Sequence, residues 1–239
     1  MKNPNIIFII LARGGSKGIP QKNLQKVGEL SLVEHAIKKL LIYKNNNKNS
    51  TILLSSDDSQ IIDVARIAGA WCPFVRPQHL ASDTAESYPA VMHALKFAEN
   101  EKNMLFDIVV YVQPTSPFWR YEDLDNAIKK VAFSNKYQSA VPLVKVSTHP
   151  FKMKRLIGEE AINFIDQGFE EMRPRQSLPK VYRRAGSFYI SKREVLIKEK
   201  TLIGNPCHGV VVNYESGIDI DSFSDLMTVR YLYEKGTIY

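Results

Sequence analysis

The segment IIFIILARGGSKGIPQKN, residues 6–23, joins a run of apolar residues directly to a loop rich in glycines and cations. The apolar run at 6–12 predicts a buried β-strand. In the loop, glycines let backbone N–H groups approach phosphate oxygens, and Arg13, Lys17 and Lys22 can neutralise the phosphate charge. These features favour a nucleotide site over a basic surface turn. The spacing fits neither G-x-x-x-x-G-K-[ST] nor G-x-G-x-x-G.

Beyond this loop, short apolar runs alternate with segments of helical periodicity. The predicted strands cover residues 6–12, 50–58, 72–77, 107–117, 139–146, 186–191 and 208–214. The predicted helices cover residues 31–41, 59–69, 88–100 and 122–133, with one more near the C-terminal end. This alternation predicts an α/β fold with a mainly parallel sheet, helices on both faces and functional loops at the carboxyl ends of the strands. We expect a single domain over residues 1–239.

One segment, at about residues 148–180 and here called the excursion, shows no clear period. A long irregular insertion in a compact domain is usually functional or an interface. Its apolar residues exceed what a small insertion can bury against its own core, which predicts a homodimer formed through the excursion. The alternative is a lid over the site of its own subunit. The apolar residues are Phe151, Met153, Leu156, Ile157, Ile162, Phe164, Ile165 and Phe169.

Composition narrows the class of partner. The net charge of +7 favours anionic partners, but no nucleic-acid-binding motif accompanies it, so we expect no nucleic acid partner. No stretch reaches the roughly 18 apolar residues of a membrane span, and the N-terminal run is interpreted as a strand, so we expect no membrane partner. Cys72 and Cys207 form neither a disulfide framework nor a metal-ligand spacing, which favours a cytoplasmic location.

Two acidic residues near the C-terminal end indicate a metal site. Asp219 and Asp221 alternate with Ile218 and Ile220. An extended backbone places both carboxylates on one side while the isoleucines pack inward. Two carboxylates and substrate phosphates are a usual ligand set for Mg²⁺. The interleaved isoleucines argue against the alternative, a solvated acidic turn.

Two further segments carry groups suited to a polar substrate. QPTSP at 113–117 ends a predicted strand with one amide and two hydroxyls held between prolines. A second basic cluster precedes the strand at 186–191 and comprises Arg173, Arg175, Lys180, Arg183 and Arg184. Arginine side chains suit a carboxylate ligand. Structural ion pairs or a subunit contact are the alternative for each of these residues.

In combination, these motifs resemble the acylneuraminate cytidylyltransferases, the CMP-sialic acid synthetase family that includes the legionaminate and pseudaminate enzymes. They follow the family's order over nearly the whole chain: ARGGSKGIPQKN (12–23), SSDD (55–58), RP (76–77), LASDTA (80–85), QPTSP (113–117), RQSLPKVYRRAGSFYI (175–190) and DIDS (219–222). The resemblance implies a Rossmann-like nucleotidyltransferase fold, a homodimer, and transfer of CMP from CTP to a nine-carbon acidic sugar with release of pyrophosphate.

The resemblance also implies roles for individual residues. Lys17, Arg13 and Asp221 form the expected catalytic set, and Asp219 and Asp221 the expected Mg²⁺ ligands. The expected nucleotide-binding residues are Ala12, Gly14, Gly15, Ser16, Lys22, Asn23, Arg76 and Ser82. The expected sugar-binding residues are Gln113, Thr115, Ser116, Arg175, Gln176 and Tyr189. Negative charge builds up on phosphoryl oxygens in such a transfer, so we expect catalysis by positioning and cations.

One departure from the common family pattern leaves the sugar open. Many members have Asn-Gly at the position of Ala185–Gly186. Some pseudaminate-type relatives have Ala-Gly there, as this chain does. Sialic, legionaminic and pseudaminic acids all remain candidates, and no general base is assigned. Two other functions also remain open, a nucleotidyltransferase for a different sugar or base and a nucleotide-binding protein without activity.

Overall fold

The computed structural model describes residues 3–16 and 18–236, and its secondary structure alternates between strands and helices. The central sheet comprises β1 (Ile6–Leu11), β4 (Ser50–Ser55), β5 (Ile108–Val112), β6 (Ser139–Lys145), β9 (Tyr182–Arg184), β10 (Phe188–Lys192) and β11 (Cys207–Val211). Two hairpins lie outside it, β2 (Lys26–Val27) with β3 (Leu30–Ser31), and β7 (Lys154–Ile157) with β8 (Glu160–Asn163). The α-helices are α1 (Leu32–Asn46), α2 (Ser59–Ile67), α3 (Ser87–Lys102), α4 (Tyr121–Phe133) and α5 (Phe223–Glu234).

The sheet is mixed but mainly parallel. Its strand order is β11-β6-β10-β5-β1-β4, and β9 pairs with β6. β1 runs parallel to β4 and β5, and β11 runs parallel to β6. β10 is antiparallel to both of its neighbours, and β9 is antiparallel to β6. The prediction of an α/β fold with a mainly parallel sheet is therefore confirmed.

Helices cover both faces of the sheet, as predicted. Phe8 and Ile10 of β1 pack into a core that also holds buried residues of α1, α2 and α4. Ile7 and Ile9, which point to the opposite face, pack with buried residues of α3. All four side chains are fully buried. Because β1 is covered on both faces, its sequence is a continuous apolar run without alternation.

Two sequence predictions of local structure are wrong. Residues 72–77 form no strand, and the neighbouring Trp71 makes a single bridge to Leu53 instead. Pro73 and Pro77 have no backbone N–H to donate to a ladder, which explains the short pairing. The excursion, predicted to be irregular, contains the β7–β8 hairpin, whose turn includes Gly158 at a φ of 59°.

The α-helices of the described chain are too short or too polar for membrane spans: none of those within residues 3–16 and 18–236 meets the length and hydropathy that a bilayer crossing requires.

Candidate active site

A cavity of about 580 Å³ lies beside the loop that follows β1. Two of its walls come from the segments that follow β1 and β5, as the rule for parallel sheets predicts. It is lined by predicted site residues from four separate parts of the chain: Arg13, Ser16, Lys22, Asn23, Arg76, Ser82, Gln113, Thr115 and Asp221. The fold therefore brings together residues that lie more than 200 positions apart in the sequence.

The segment 12–23, here called the nucleotide loop, is tied to the rest of the site. The backbone N–H of Gly14 donates to Asp57 Oδ1 at 3.1 Å. The buried side chain of Asn23 donates through Nδ2 to the carbonyl of Arg13 at 3.0 Å. A Cβ atom at Gly18 would lie 2.5 Å from the carbonyl oxygen of Asp221, so only glycine allows this approach. Ala12, the first residue of the loop, directly follows β1 and is fully buried.

Asp57 joins the nucleotide loop to Arg76. Its Oδ1 atom accepts from the Gly14 amide and lies 3.3 Å from Nη2 of Arg76. The Arg76 side chain is only 4% exposed. Burial lowers the pKa of Arg76, while the hydrogen bond and charge of Asp57 oppose that shift. Because Nε of Arg76 has no described partner, this arginine presents a buried donor at the cavity wall.

Two cations of the nucleotide loop are held by partners from distant segments. Arg13 donates to the carbonyl of Ser82 at 2.7 Å and pairs with Asp83 at 3.1 Å. Lys22 donates to the carbonyl of Ile220 at 2.7 Å and to Asp221 Oδ1 at 3.2 Å. Both cations therefore have defined positions at the cavity wall, where phosphate oxygens could replace part of their contacts.

Residues 113–119, here called the site strap, form another wall. Gln113 donates to the hydroxyl of Tyr111 at 2.9 Å, and Tyr111 stacks on Tyr189 with ring centroids 5.6 Å apart. Burial raises the pKa of Tyr111, so its hydroxyl stays protonated at neutral pH. This network orients the amide of Gln113 for a polar ligand.

The strap also meets the acidic pair. Ser116 donates to Asp219 Oδ1 at 3.2 Å, and the amide of Ile220 donates to the carbonyl of Thr115 at 2.9 Å. Ile218 and Ile220 are buried, as the alternation predicted. The two carboxylates differ in burial, because Asp219 is half-buried whereas the Asp221 side chain is 81% exposed.

Gly186 leaves room beside these polar groups. A Cβ atom there would lie 2.5 Å from Gln113 Oε1, 2.9 Å from Asp219 Oδ2 and 3.2 Å from Ser116 Oγ. Any larger residue would therefore push into three convergent polar atoms. The glycine that the sequence singled out, Gly186, keeps this space open.

Not every predicted residue lies at the cavity. Arg175 and Gln176 are exposed on the excursion, and Arg175 donates to the carbonyl of Val146. Gly15 is exposed in the loop and does not line the cavity. Lys17 lies outside the described residues. In the second basic cluster, Arg173 pairs with Glu171 and Arg183 donates to the carbonyl of Gly217. These two residues follow the structural alternative.

Sequence reasoning did not assign a role to several residues of the site. Asp57 lies in the quoted SSDD motif, but its contact with a loop 43 residues away has no local signal. Tyr111 lies inside an apolar strand and was indistinguishable from a core residue. Ser87, whose hydroxyl lies 3.2 Å from that of Tyr111, begins α3 and also lines the cavity.

The fold and this cavity define a nucleotide-binding α/β protein of the nucleotidyltransferase class. The cytidylyltransferase family profile matches residues 7–210. The chain belongs to the cytidylyltransferase family, whose members are enzymes.

Named relatives and a solved structure agree with this assignment. The chain is similar to a pseudaminic acid cytidylyltransferase of Campylobacter jejuni, with 31% identity over 98% of this chain and 97% of the relative. It is 30% identical to a CMP-N,N'-diacetyllegionaminic acid synthase of Legionella pneumophila, over 96% of each chain. The fold matches a CMP:2-keto-3-deoxy-manno-octonic acid synthetase solved with CTP, at a TM-score of 0.67 and 16% identity, over 97% of this chain and 99% of the other.

Proposed function

We propose that this enzyme activates a nine-carbon acidic sugar, a nonulosonic acid, with CTP in the cytoplasm. The observation that carries the proposal is the single cavity shared by the nucleotide loop, Arg76, the site strap and Asp221. The relatives named for pseudaminic and legionaminic acids support the sugar class. A nucleotide and a polar second substrate can both reach this cavity.

In the proposed reaction, the anomeric hydroxyl oxygen of the sugar attacks the α-phosphorus of CTP. A new P–O bond forms, the bond to the β-phosphate bridging oxygen breaks, and pyrophosphate leaves. The proton of the attacking hydroxyl group is released to water, and no side chain is assigned as a general base. Negative charge spreads over the phosphoryl oxygens in the transition state, where Arg13, Lys17 and Lys22 would stabilise it.

The acidic pair suits a magnesium ion. Within residues 3–16 and 18–236 no three acidic, histidine or cysteine side chains form a metal cluster. Mg²⁺ commonly binds one or two carboxylates and completes its shell with waters and substrate phosphates. Asp219 and Asp221 each use Oδ1 in their described side-chain contacts, and the space beside Asp219 Oδ2 is kept open by Gly186. These two residues would hold the ion, which supplies neutralisation of phosphate charge when bound.

The strap side of the cavity would receive the sugar. Gln113 and Thr115 present an amide and a hydroxyl there, and the half-buried ring of Tyr189 stacks on Tyr111. Ser116, which is fully buried, would act through its hydrogen bond to Asp219. The nucleotide would lie along the loop and against Arg76 and Ser82. In this proposed arrangement the reacting oxygen and the α-phosphate would lie between the two walls.

We also propose that the active form is a homodimer in which the excursion contributes to the partner's site. Leu156, Phe164 and Met172 expose 69%, 62% and 80% of their surface. Exposed apolar side chains concentrated in one segment normally find a partner, and a two-fold pair is the commonest arrangement. Arg175, which does not reach the cavity of its own chain, could then face a sugar carboxylate in the other subunit.

Pyrophosphate release tests the substrate pair. CTP, UTP, ATP and GTP are each combined with N-acetylneuraminic, legionaminic and pseudaminic acids in the presence of Mg²⁺. The proposal expects release that depends on CTP and on one nonulosonic acid. Release with another nucleotide or another sugar class would favour a different nucleotidyltransferase, and no release with any pair would favour a nucleotide-binding protein without activity.

A further inference from the structure

A second cavity, of about 790 Å³, lies beyond the site strap. Gln113, Pro114 and Thr115 line the candidate active site, whereas Pro117 and Trp119 line the second cavity. The strap is therefore the wall between the two. What holds its far side also sets the position of the groups on its near side.

Lys39 of α1 is the residue that holds the far side. Its Nζ atom donates to the carbonyl of Pro117 at 2.7 Å and to that of Trp119 at 2.9 Å. The same atom lies 5.1 Å from the centre of the Trp119 ring, within the range of a cation–π contact. Lys39 therefore binds the backbone of the strap on both sides of Phe118.

The opposite side of the strap is held by the segment that carries the acidic pair. Ser216 donates to the carbonyl of Phe118 at 3.0 Å, and the Ile220 amide donates to that of Thr115 at 2.9 Å. Ser116 reaches Asp219 from the same strap. Contacts from Lys39 and from residues 216–220 therefore fix one short segment from two directions.

The charge on Lys39 is held against a desolvation cost. Burial lowers its pKa to about 8, so the ammonium form still predominates at neutral pH. A lysine on the surface of α1 would avoid this cost, as its neighbour Lys38 does. The two strap carbonyls that accept from Lys39 offset part of this cost.

We infer that Lys39 is a positioning residue that sets the geometry of the site strap, and through it the placement of Gln113 and Thr115 toward the second substrate. This inference rests on the proposed function for the identity of that substrate. Lys39 touches neither substrate, because it faces the second cavity. The side affected is the sugar side, since the nucleotide loop and Arg76 have their own supports in Asp57 and Asn23.

Three variants test this inference. Lys39→Met keeps the length of the side chain but removes its donors, and Lys39→Arg keeps the donors. Lys38→Met is the matched control on the adjacent, exposed residue. For each variant, amide hydrogen exchange is followed at Ile220 and along the strap, and kcat and KM are measured separately for CTP and for the sugar acid.

We expect faster exchange at the Ile220 amide in Lys39→Met and a fall of about tenfold or more in kcat/KM for the sugar, within the ~10² that a misplacement of about 1 Å can cost. The KM for CTP should stay unchanged in Lys39→Met. Lys39→Arg should recover part of the loss in kcat/KM, and Lys38→Met should match the unmodified enzyme. Wild-type exchange and sugar kinetics in Lys39→Met would overturn the inference. So would a uniform loss for both substrates that Lys39→Arg does not relieve.

The exchange measurement separates this inference from the proposed function. If the unmodified enzyme used no nonulosonic acid, the proposed function would fail, while exchange at Ile220 would still decide whether Lys39 holds the strap. If Lys39→Met did not fold, Lys39→Gln would replace it. That variant keeps one N–H donor group on a shorter side chain, and the same directions are expected.

Discussion

The nucleotide side of the cavity and the excursion differ in whether one chain supplies contact partners for its own side chains. Arg13, Lys22 and Arg76 all contact carboxylates from distant segments. The excursion instead leaves Leu156 and Phe164 largely exposed. One chain therefore builds an ordered wall for a nucleotide, whereas we expect the excursion to be completed by a second copy.

The largest effect is expected at Asp221. Asp221→Asn keeps the size of the side chain but removes the charge that faces Lys22 and would face Mg²⁺, so turnover should be largely abolished. Excess chelator should do the same to the unmodified enzyme, and Asp219→Asn should be milder because Asp219 could contact the ion through water. The measurement is pyrophosphate release with saturating substrates. Undiminished turnover in chelator would show that no divalent cation is needed. Undiminished turnover in Asp221→Asn would show that Asp221 is not a required ligand.

Lys17→Ala should lower kcat by about 10²–10³, the scale expected when one donor to a developing oxyanion is removed. This prediction rests on the ARGGSKGIPQKN motif alone. Steady-state kinetics with CTP as the varied substrate separate the outcomes. A higher KM with unchanged kcat would mean that Lys17 binds ground state and transition state equally. Kinetics identical to the unmodified enzyme would exclude Lys17 from the site.

Asp57→Ala should raise the KM for CTP by about tenfold, the scale of one lost hydrogen bond to a charged group. The substitution removes the acceptor of the Gly14 amide and the partner of buried Arg76. Asp58→Ala is the matched control, because Asp58 caps α2 through the amides of Gln60 and Ile61. The control should lose about 1 kcal/mol of stability and keep its CTP affinity. If the KM for CTP were unchanged in both variants, Asp57 would contribute only to the fold.

The excursion should determine oligomeric state. Leu156→Asp combined with Phe164→Ser places polar groups in the proposed interface, so light scattering at micromolar concentration should change from dimer to monomer. Ile67→Asp on α2, whose side chain is 87% exposed, is the control and should leave the mass unchanged. A fully active monomer in the unmodified protein would instead favour a lid over the chain's own site.

Sharing of sites has its own test. Asp221→Asn and Arg175→Ala subunits are mixed under conditions that allow exchange. If the excursion of one subunit serves the site of the other, mixed dimers should recover one working site. Exchange without any recovery of activity would show that each subunit works alone.

Local patterns predicted much of the fold, and the failures have identifiable causes. The continuous apolar run at 6–12 and the alternation of Ile218 and Ile220 with two aspartates each specify burial directly. The prediction of a strand at 72–77 was wrong because it gave the apolar residues more weight than Pro73 and Pro77, which have no backbone N–H to donate. The β7–β8 hairpin was missed because both of its strands are largely exposed and show no buried face.

The candidate site was less predictable where its contacts are long-range. Lys38 and Lys39 are adjacent and chemically identical in the sequence, and only the fold separates a solvated lysine from one that holds the strap. Asp57 and Tyr111 likewise gain their roles from partners on other segments. Motif spacing can indicate groups that face a substrate, but identifying the residues that position those groups requires the packed structure.

Transfer of CMP from CTP to a nine-carbon sugar acid can be read from the mass of the product. The enzyme is incubated with CTP, Mg²⁺ and a panel of nonulosonic acids, and the products are analysed together with pyrophosphate. We expect one CMP-sugar phosphodiester, formed in equal amount to pyrophosphate. CTP recovered intact with every sugar, or a nucleotide–sugar diphosphate in place of the monophosphate diester, would contradict it.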